Sequence, residues 1–365
     1  MTGRVARVAR VRARMRELGV DALLLSLGAD LPWLTGYEAM PLERLTMLVL
    51  PVDGDATLVV PRLEAPRVDP DEDVFTVRPW DETDDPVALV ARLVGSRRAL
   101  AVGDRTWATF LVGLQRELPD ATWDRASVVT GPLRAVKDRT EIDALRAASA
   151  AADRVAEQLL AGEIALVGRT EAEVSADIGR RLRAEGHQKV NFAIVGSGPN
   201  AASPHHEPGR RVIGAGESVV CDFGGTMDGY CSDITRTVFT GEPPREFADL
   251  YAVLQDAQAA AVTAATVGAP CEQVDAVARR RITDGGYGAQ FIHRTGHGIG
   301  LEEHEDPYIV KGNALPLEPG HAFSVEPGIY VDGRWGARIE DIVVASEAGP
   351  EPLNGVDHDL HVVEA

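Results

Sequence analysis

Residues 217–240 read ESVVCDFGGTMDGYCSDITRTVFT, and residues 322–344 read AFSVEPGIYVDGRWGARIEDIVV. Both are apolar, β-branched runs divided by an Asp-Gly joint, which is a hairpin signal. The expected strand pairs are Glu217–Phe223 with Tyr230–Phe239, and Ala322–Val331 with Ala337–Val344. Each hairpin carries two carboxylates, one per strand: Asp222 with Asp233, and Glu326 with Glu340. Hairpin pairing can bring such residues opposite each other on one sheet face. An acid in so apolar a strand is expected to be buried, and four buried carboxylates together are prohibitive without cations. Two divalent ions cancel the four charges. His297, in HRTGHGIG, adds one neutral nitrogen ligand. Oxygen-rich ligation with one imidazole suits Mn2+, Co2+ or Zn2+. Two such ions make water a strong nucleophile at neutral pH, so the chemistry expected is hydrolytic.

Taken singly, each acid fits half of an internal ion pair equally well. Five positions in two matching hairpins and a Gly-His-Gly turn carry the metal reading. The helical zinc motif H-E-x-x-H is absent, since His206-Glu207 and His304-Glu305 both lack the second histidine. FAIVGSGPNAA, residues 192–202, matches G-x-G-x-x-A after a strand, but Pro199, Asn200 and Pro204 break the helix that a dinucleotide site requires. Cys221, Cys231 and Cys271 form no disulfide framework and are expected to be small buried side chains in a reducing compartment.

The 365-residue chain is 45% hydrophobic and 25% charged, enough for two domains with real cores. A formal net charge of −19 argues against nucleic acid, whose phosphates need a basic face. Without a secretory h-region or a long apolar span, no membrane association is expected, and the location expected is cytoplasmic. The opening MTGRVARVARVRARMRELG is arginine-rich like a transit peptide, yet Val5, Val8, Val11, Met15 and Leu18 fall at helical spacing. An amphipathic first helix is expected there. Residues 1–130 then alternate strands (Asp21–Ser26, Thr46–Leu50, Thr57–Val60, Ala99–Val102) with helices (Pro86–Val94, Trp107–Glu117), an α/β domain. The acidic, proline-bearing stretch Asp69–Pro86 is expected to be a loop. Residues 131–365 are expected to form a second domain, which makes the chain α+β. It opens on the long helical run PLRAVKDRTEIDALRAASAAADRVAEQLL, followed by a capping box at Thr170–Glu173 and helices at Arg245–Thr266 and Cys271–Thr283. Helices followed by a hairpin occur twice, a sign of a duplicated half-domain.

On the strings VVCDFGG, YCSDITRT, HRTGHGIG, FSVEPGIY and GARIEDIV, nearly the whole chain resembles the pita-bread metallopeptidases. That family comprises Xaa-Pro dipeptidase (prolidase), aminopeptidase P, creatinase and, more distantly, methionine aminopeptidase. LRAVKDRTEIDALRAA is similar to the family's entry into its catalytic domain. The resemblance implies a C-terminal pita-bread catalytic domain behind a creatinase-type N-terminal α/β domain. It implies that Asp233 and Glu340 bridge two metals, with Asp222 completing one ion and His297 and Glu326 the other. It also implies that His205, in NAASPHHEPG, lies near the substrate's peptide group. His304, seven residues after His297, would serve the tetrahedral intermediate, with His293 a further pocket histidine. Arg338 would orient Asp233 or the substrate, and Phe192 would line the pocket. Apart from the resemblance, each histidine fits a surface loop and Arg338 an exposed arginine; His206 is expected to stay at the surface.

The implied reaction is attack of activated water on the carbonyl of an Xaa-Pro bond in proline-containing peptides. Glu326 passes the proton to the leaving proline nitrogen, the metals and His304 stabilise the oxyanion, and His205 positions the substrate. Some prolidases place an arginine eleven residues after the ligand histidine, where this chain has Tyr308. Tyr308 is therefore a candidate substrate-binding position. Xaa-Pro dipeptidase is the first reading and aminopeptidase P the alternative. Another small-amide hydrolase or a non-catalytic peptide-binding module is more remote, because no ligand is lost. The resemblance also implies a homodimer. Leu31–Met40, with Trp33 and Tyr37, is the candidate contact, core packing being the other role for both aromatics.

Overall fold

The structure is a computed structural model that describes residues 3–364, and it divides into two compact units, Met1–Arg134 and Ala135–Ala365. In the first unit, α1 (Gly3–Leu18) buries Val8, Val11 and Met15. Its arginines grip backbone carbonyls: Arg7 donates to Trp33 O at 3.1 Å, Arg12 to Pro51 O at 3.2 Å and Arg16 to Val52 O at 3.2 Å. The arginine-rich opening is thus a clamp of the fold.

The elements that follow are β1 (Ala22–Leu25), α2 (Asp30–Thr35), β2 (Met47–Pro51), β3 (Thr57–Pro61), β4 (Thr76–Trp80), α3 (Pro86–Val94), β5 (Ala99–Val102), α4 (Ala108–Glu117), β6 (Thr122–Arg125) and α5 (Ser127–Ala135). The six strands form one mixed sheet in the order β4-β3-β2-β1-β5-β6. β1 is buried along its whole length, as expected for a central strand. The stretch expected as a loop contains β4, which pairs parallel with β3. Its Pro79 is tolerated because β4 is an edge strand, where one side needs no donor, and Trp80 anchors it by donating Nε1–H to Leu45 O at 2.9 Å. Trp33 and Tyr37 are 2% and 5% exposed, so both are core residues and neither offers a free contact surface.

The second unit starts with α6 (Arg139–Leu160). The helical run expected from Pro132 is interrupted before it, because Asp138 and Glu141 form a reciprocal capping box that starts a new helix. α7 (Glu171–Ala184) starts on the Thr170–Glu173 capping box expected from sequence. Then come β7 (Lys189–Ser197), β8 (Ser218–Met227), β9 (Tyr230–Cys231), β10 (Ile234–Thr240), α8 (Arg245–Ala264), α9 (Cys271–Asp284), β11 (Gly296–Gly298), β12 (Glu305–Ile309), β13 (Ala322–Val325), β14 (Gly328–Val331), β15 (Trp335–Arg338), β16 (Asp341–Ser346), β17 (Gly349–Pro352) and β18 (His361–Val363).

One sheet runs β18-β10-β8-β7 with β9 beside β8, a second runs β12-β11-β13-β16-β17, and β14 pairs with β15 alone. α6 and α7 pack Val155, Leu159, Ile178 and Leu182 against Val219, Phe223 and Ile234 of the first sheet. α8 and α9 pack Leu250, Leu254, Val274 and Ile282 against Phe323, Val325 and Val343 of the second. A helix pair behind each sheet is the doubled arrangement anticipated from sequence. Each fully buried Leu, Val or Phe contributes about 1.5–3 kcal/mol, so each sheet is fixed from behind and its other face is free for chemistry. An isolated bridge from Thr235 to Glu340 joins the two sheets.

Candidate metal centre

The two strand pairs deliver their acids differently from the simple hairpin expectation. In the first, Asp222 lies within β8 and pairs in register with Thr235, not with Asp233. Asp233 sits in the break between β9 and β10. The chain passes very close here: a Cβ on Gly224 would lie 2.1 Å from Ser232 O, so glycine is required. The expected second hairpin is also broken. Ala322–Val325 pairs with β16, while Gly328–Val331 pairs with β15. Pro327 cannot donate to a ladder, so the strand parts at Glu326-Pro327, and Glu340 occupies the matching gap between β15 and β16. Such interruptions re-aim side chains.

The four acids and His297 meet in one cavity of about 560 Å³. Ligand atoms of Asp233, His297 and Glu340 all lie within 4.8 Å of one another. Ser324 Oγ accepts the His297 backbone N–H at 3.0 Å, and the ring Nδ1 donates to Gly298 O at 3.1 Å. Nε2 is thereby left facing Glu326 Oε1 at 3.3 Å and Asp233 Oδ2 at 3.8 Å. Thr235 Oγ1 donates to Glu340 Oε2 at 2.6 Å and sets that carboxylate's direction.

Electrostatically the cage is unbalanced. Burial, and then the neighbouring Glu340, Asp222 and Glu326, push the Asp233 carboxyl well above the usual range. Burial, then Glu326 and Asp222, do the same to Glu340. Burial pushes Glu326 up to about 7 against the opposing pull of Arg338. Arg338 is one cation among four acids. Oδ1 of Asp222 and Oδ1 of Asp233 are buried without any hydrogen-bond partner. Orphaned carboxylate oxygens beside an imidazole nitrogen are the donor set that divalent cations take. The residues fit the ions.

Arg338 is 2% exposed, which removes the surface alternative, and it orients a different acid from the one expected. Its Nη2 donates to Asp222 Oδ2, not to Asp233, while Nε donates to Thr235 Oγ1 at 3.1 Å and Nη1 to Tyr330 Oη at 2.9 Å and to Pro204 O at 3.3 Å. Alternation places Arg338 and Glu340 on one face only if the strand is continuous, and the break at Ile339-Glu340 removes that condition. Tyr330 Oη also lies 2.9 Å from His293 Nε2. Burial first, then Arg338, pushes His293 down to about 4, so it is neutral near pH 7.

His304 stands edge-on to His297 with ring centroids 4.0 Å apart. His205 and Phe192 line the same cavity, His205 from an exposed loop. Tyr308 does not line it; it sits half-buried in β12 under the Arg294 guanidinium, 4.5 Å from the ring centroid. Arg294, Glu303 and Tyr330 were missed in sequence; Arg294 and Glu303 line the cavity, and their positions beside His293 and His304 were the available signal. His206, expected at the surface, instead bonds Oε2 of fully buried Glu171 at 2.8 Å. Cys221 and Cys231 are free and buried, with thiols pushed up to about 12 by burial, and neither lines the cavity. After β7 the chain enters a 3-10 turn over Gly198–Ala202, so no helix opens there for a dinucleotide.

The family model described as Metallopeptidase family M24 matches residues 143–347, over half of the chain. The chain belongs to metallopeptidase family M24. A Creatinase/Prolidase N-terminal domain matches residues 7–136 of this M24 chain. It is 47% identical to the Probable dipeptidase PepE of Mycobacterium tuberculosis over 98% of this chain and 96% of that protein. It is 36% identical to the Xaa-Pro dipeptidase of Lactobacillus helveticus over 96% of each. The crystal structure of dipeptidase PepE from Mycobacterium ulcerans matches with a TM-score of 0.93 at 46% identity, covering 99% of this chain and 98% of that one. The pita-bread fold and creatinase-type first domain expected from sequence are borne out, and membership of M24 implies divalent metal ions. Among the described residues no helix is long and apolar enough to cross a membrane.

Proposed function

We propose that this M24 metallopeptidase hydrolyses Xaa-Pro bonds, in dipeptides first, using two divalent ions held by Asp222, Asp233, His297, Glu326 and Glu340. The observation that carries the proposal is the meeting of these five side chains with His205, His293 and His304 in one cavity. The Xaa-Pro dipeptidase of Lactobacillus helveticus and the two PepE dipeptidases support the substrate class. Manganese is the proposed metal, with cobalt or zinc as alternatives. When bound, the ions supply Lewis acidity and a nucleophile from water at neutral pH.

The remaining work falls to the protein. Glu326, whose proton affinity burial has raised toward neutrality, accepts the water's proton and returns it to the leaving proline nitrogen. His304 donates to the oxygen on which charge develops. His293, held neutral and fixed by Tyr330, and His205 on the rim orient the peptide. Arg338, whose guanidinium donates to Asp222 Oδ2, fixes the direction of that carboxylate. Proline's nitrogen carries no hydrogen in the peptide, and a site that asks for no N–H there accepts it.

A second reading, aminopeptidase P acting on longer peptides, is favoured by one observation: Tyr308, where some prolidases carry a carboxylate-binding arginine, offers no cation and lies outside the cavity lining. A paired assay of Xaa-Pro dipeptides and Xaa-Pro-Xaa tripeptides, with metal per chain measured alongside, separates the two. Faster turnover of dipeptides supports the first reading, faster turnover of tripeptides the second. A chain that stays metal-free in metal-supplemented buffer overturns both. The same resemblance supports functional domains at 1–130 and 131–365, a cytoplasmic location and a homodimer, the last tested by light scattering.

A further inference from the structure

We propose that Lys137 is a positioning residue for His304, acting through a buried ion pair with Glu305. The inference rests on the role given to His304 above. Lys137 belongs to LRAVKDRTEI, residues 133–142, a string with no part in the reaction as derived so far. Its Nζ lies 2.8 Å from Glu305 Oε1, with the two side chains 1% and 8% exposed. Glu305 directly follows His304 and begins β12.

The anchor itself is fixed. The Lys137 backbone N–H donates to Gly320 O at 2.9 Å, Val136 bridges to His321, and Asp138 starts the capped α6. His304 has no such support of its own: among the described residues its imidazole makes no hydrogen bond, only the ring contact with His297. Its place is therefore set by the backbone on either side.

The turn before it is fitted to the ion pair. A Cβ on Gly300 would lie 2.5 Å from Glu305 Oε1 and 3.1 Å from Lys137 Cε, so the last glycine of GHGIG makes room for the pair. The same glycine accepts the Cys231 N–H at 2.8 Å and donates its own N–H to Glu302 O at 3.1 Å. The segment 300–305 is thus tied to the strand ahead of Asp233 at one end and to Lys137 at the other. A buried ion pair adds little net stability after desolvation, but separating its partners strands a buried charge, so the two groups are held together. Glu305, the residue next to His304, is thereby held against Lys137 Nζ.

The test is kinetic and spectroscopic. Lys137→Met lowers kcat by about tenfold to a hundredfold, with KM and metal per chain unchanged, and Lys137→Arg restores part of the loss. In a His304→Ala background the same substitution causes no further loss. The imidazole NMR signals of His304 move in Lys137→Met. If Lys137→Met does not fold, the pair variant Lys137→Met with Glu305→Leu, which removes both members of the ion pair, shows the same loss in kcat. Unchanged kcat, or an equal loss with His304 absent, overturns the proposal. If His304→Ala alone keeps full turnover, the role given to His304 fails separately, and unmoved His304 signals in Lys137→Met then overturn the role of Lys137.

Discussion

β8 with β10 and β13 with β16 occupy equivalent places in front of their helix pairs, yet they handle buried acids in opposite ways. The first pair runs in unbroken register from Ser218 opposite Phe239 to Phe223 opposite Ile234 and holds Asp222 in mid-strand. The second stops after Val325, parts at Glu326-Pro327 and resumes as a separate ribbon. A continuous ladder can hold one charge only if another element neutralises it, and β15 of the broken half does so by sending Arg338 to Asp222. The break costs ladder hydrogen bonds and frees two carboxylates to turn toward the first sheet. One half provides rigidity, the other reach.

The comparison breaks most directly at Asp233, the acid in the gap of the first half. Asp233→Ala is expected to lose bound metal, read by elemental analysis, and to lose hydrolysis with it. Full metal content with full turnover would remove Asp233 from the cage. Next in size is Arg338→Met. It leaves Asp222 buried without its guanidinium, and the metal-free protein is expected to lose about 3–5 kcal/mol by denaturant unfolding. Saturating divalent metal should recover part of that, since a bound cation takes over the neutralising role.

A third test uses pH. In the metal-free chain the Glu326 carboxyl is raised to about 7, and Asp233 and Glu340 are raised as well. The folded state therefore holds protons that the unfolded state releases above its ordinary carboxyl range. Stability falls as pH rises from about 4.5 through 7. One such group contributes a decline in melting temperature of about 2–4 °C per pH unit. Divalent metal should abolish the slope and release protons on binding near pH 6. A melting temperature that rises with pH under chelation would contradict the unbalanced cage. The smallest effect is expected for Tyr330→Phe, which removes the hydroxyl shared by Arg338 and His293. About 1 kcal/mol of stability should go, with a modest fall in kcat/KM and no change in metal per chain.

Much of the site was legible because burial and charge are local properties of a string. Asp222, Asp233, Glu326 and Glu340 each stand among apolar neighbours, and four such acids imply cations wherever they meet. The helix starts at Thr170 and the hairpin signals in GGTMDG and DGRWG were legible for the same reason. The β4 strand was not, because Pro79 and the surrounding acids read as a loop until the sheet edge beside β3 is known. The pairing of Arg338 with Asp222 was not legible, because the strand is interrupted at Ile339-Glu340 and the direction of Arg338 is set by the packed sheets. Tyr308 was placed at the substrate because spacing from His297 was used, while the cavity is lined by Arg294 in front of it.

By itself the sequence determined that two strand pairs must bury four carboxylates with a histidine, and hence that the chain needs cations. Local hydrophobic patterning dictates burial, and burial dictates the electrostatic demand. Only the tertiary structure decided how the demand is met inside the protein. Arg338 and Asp222 are 116 residues apart in the chain, and Lys137 and Glu305 are 168 apart. No local pattern encodes such pairs, because the partner of a buried charge is chosen by which strand ends and turns the packed sheets bring within hydrogen-bonding distance.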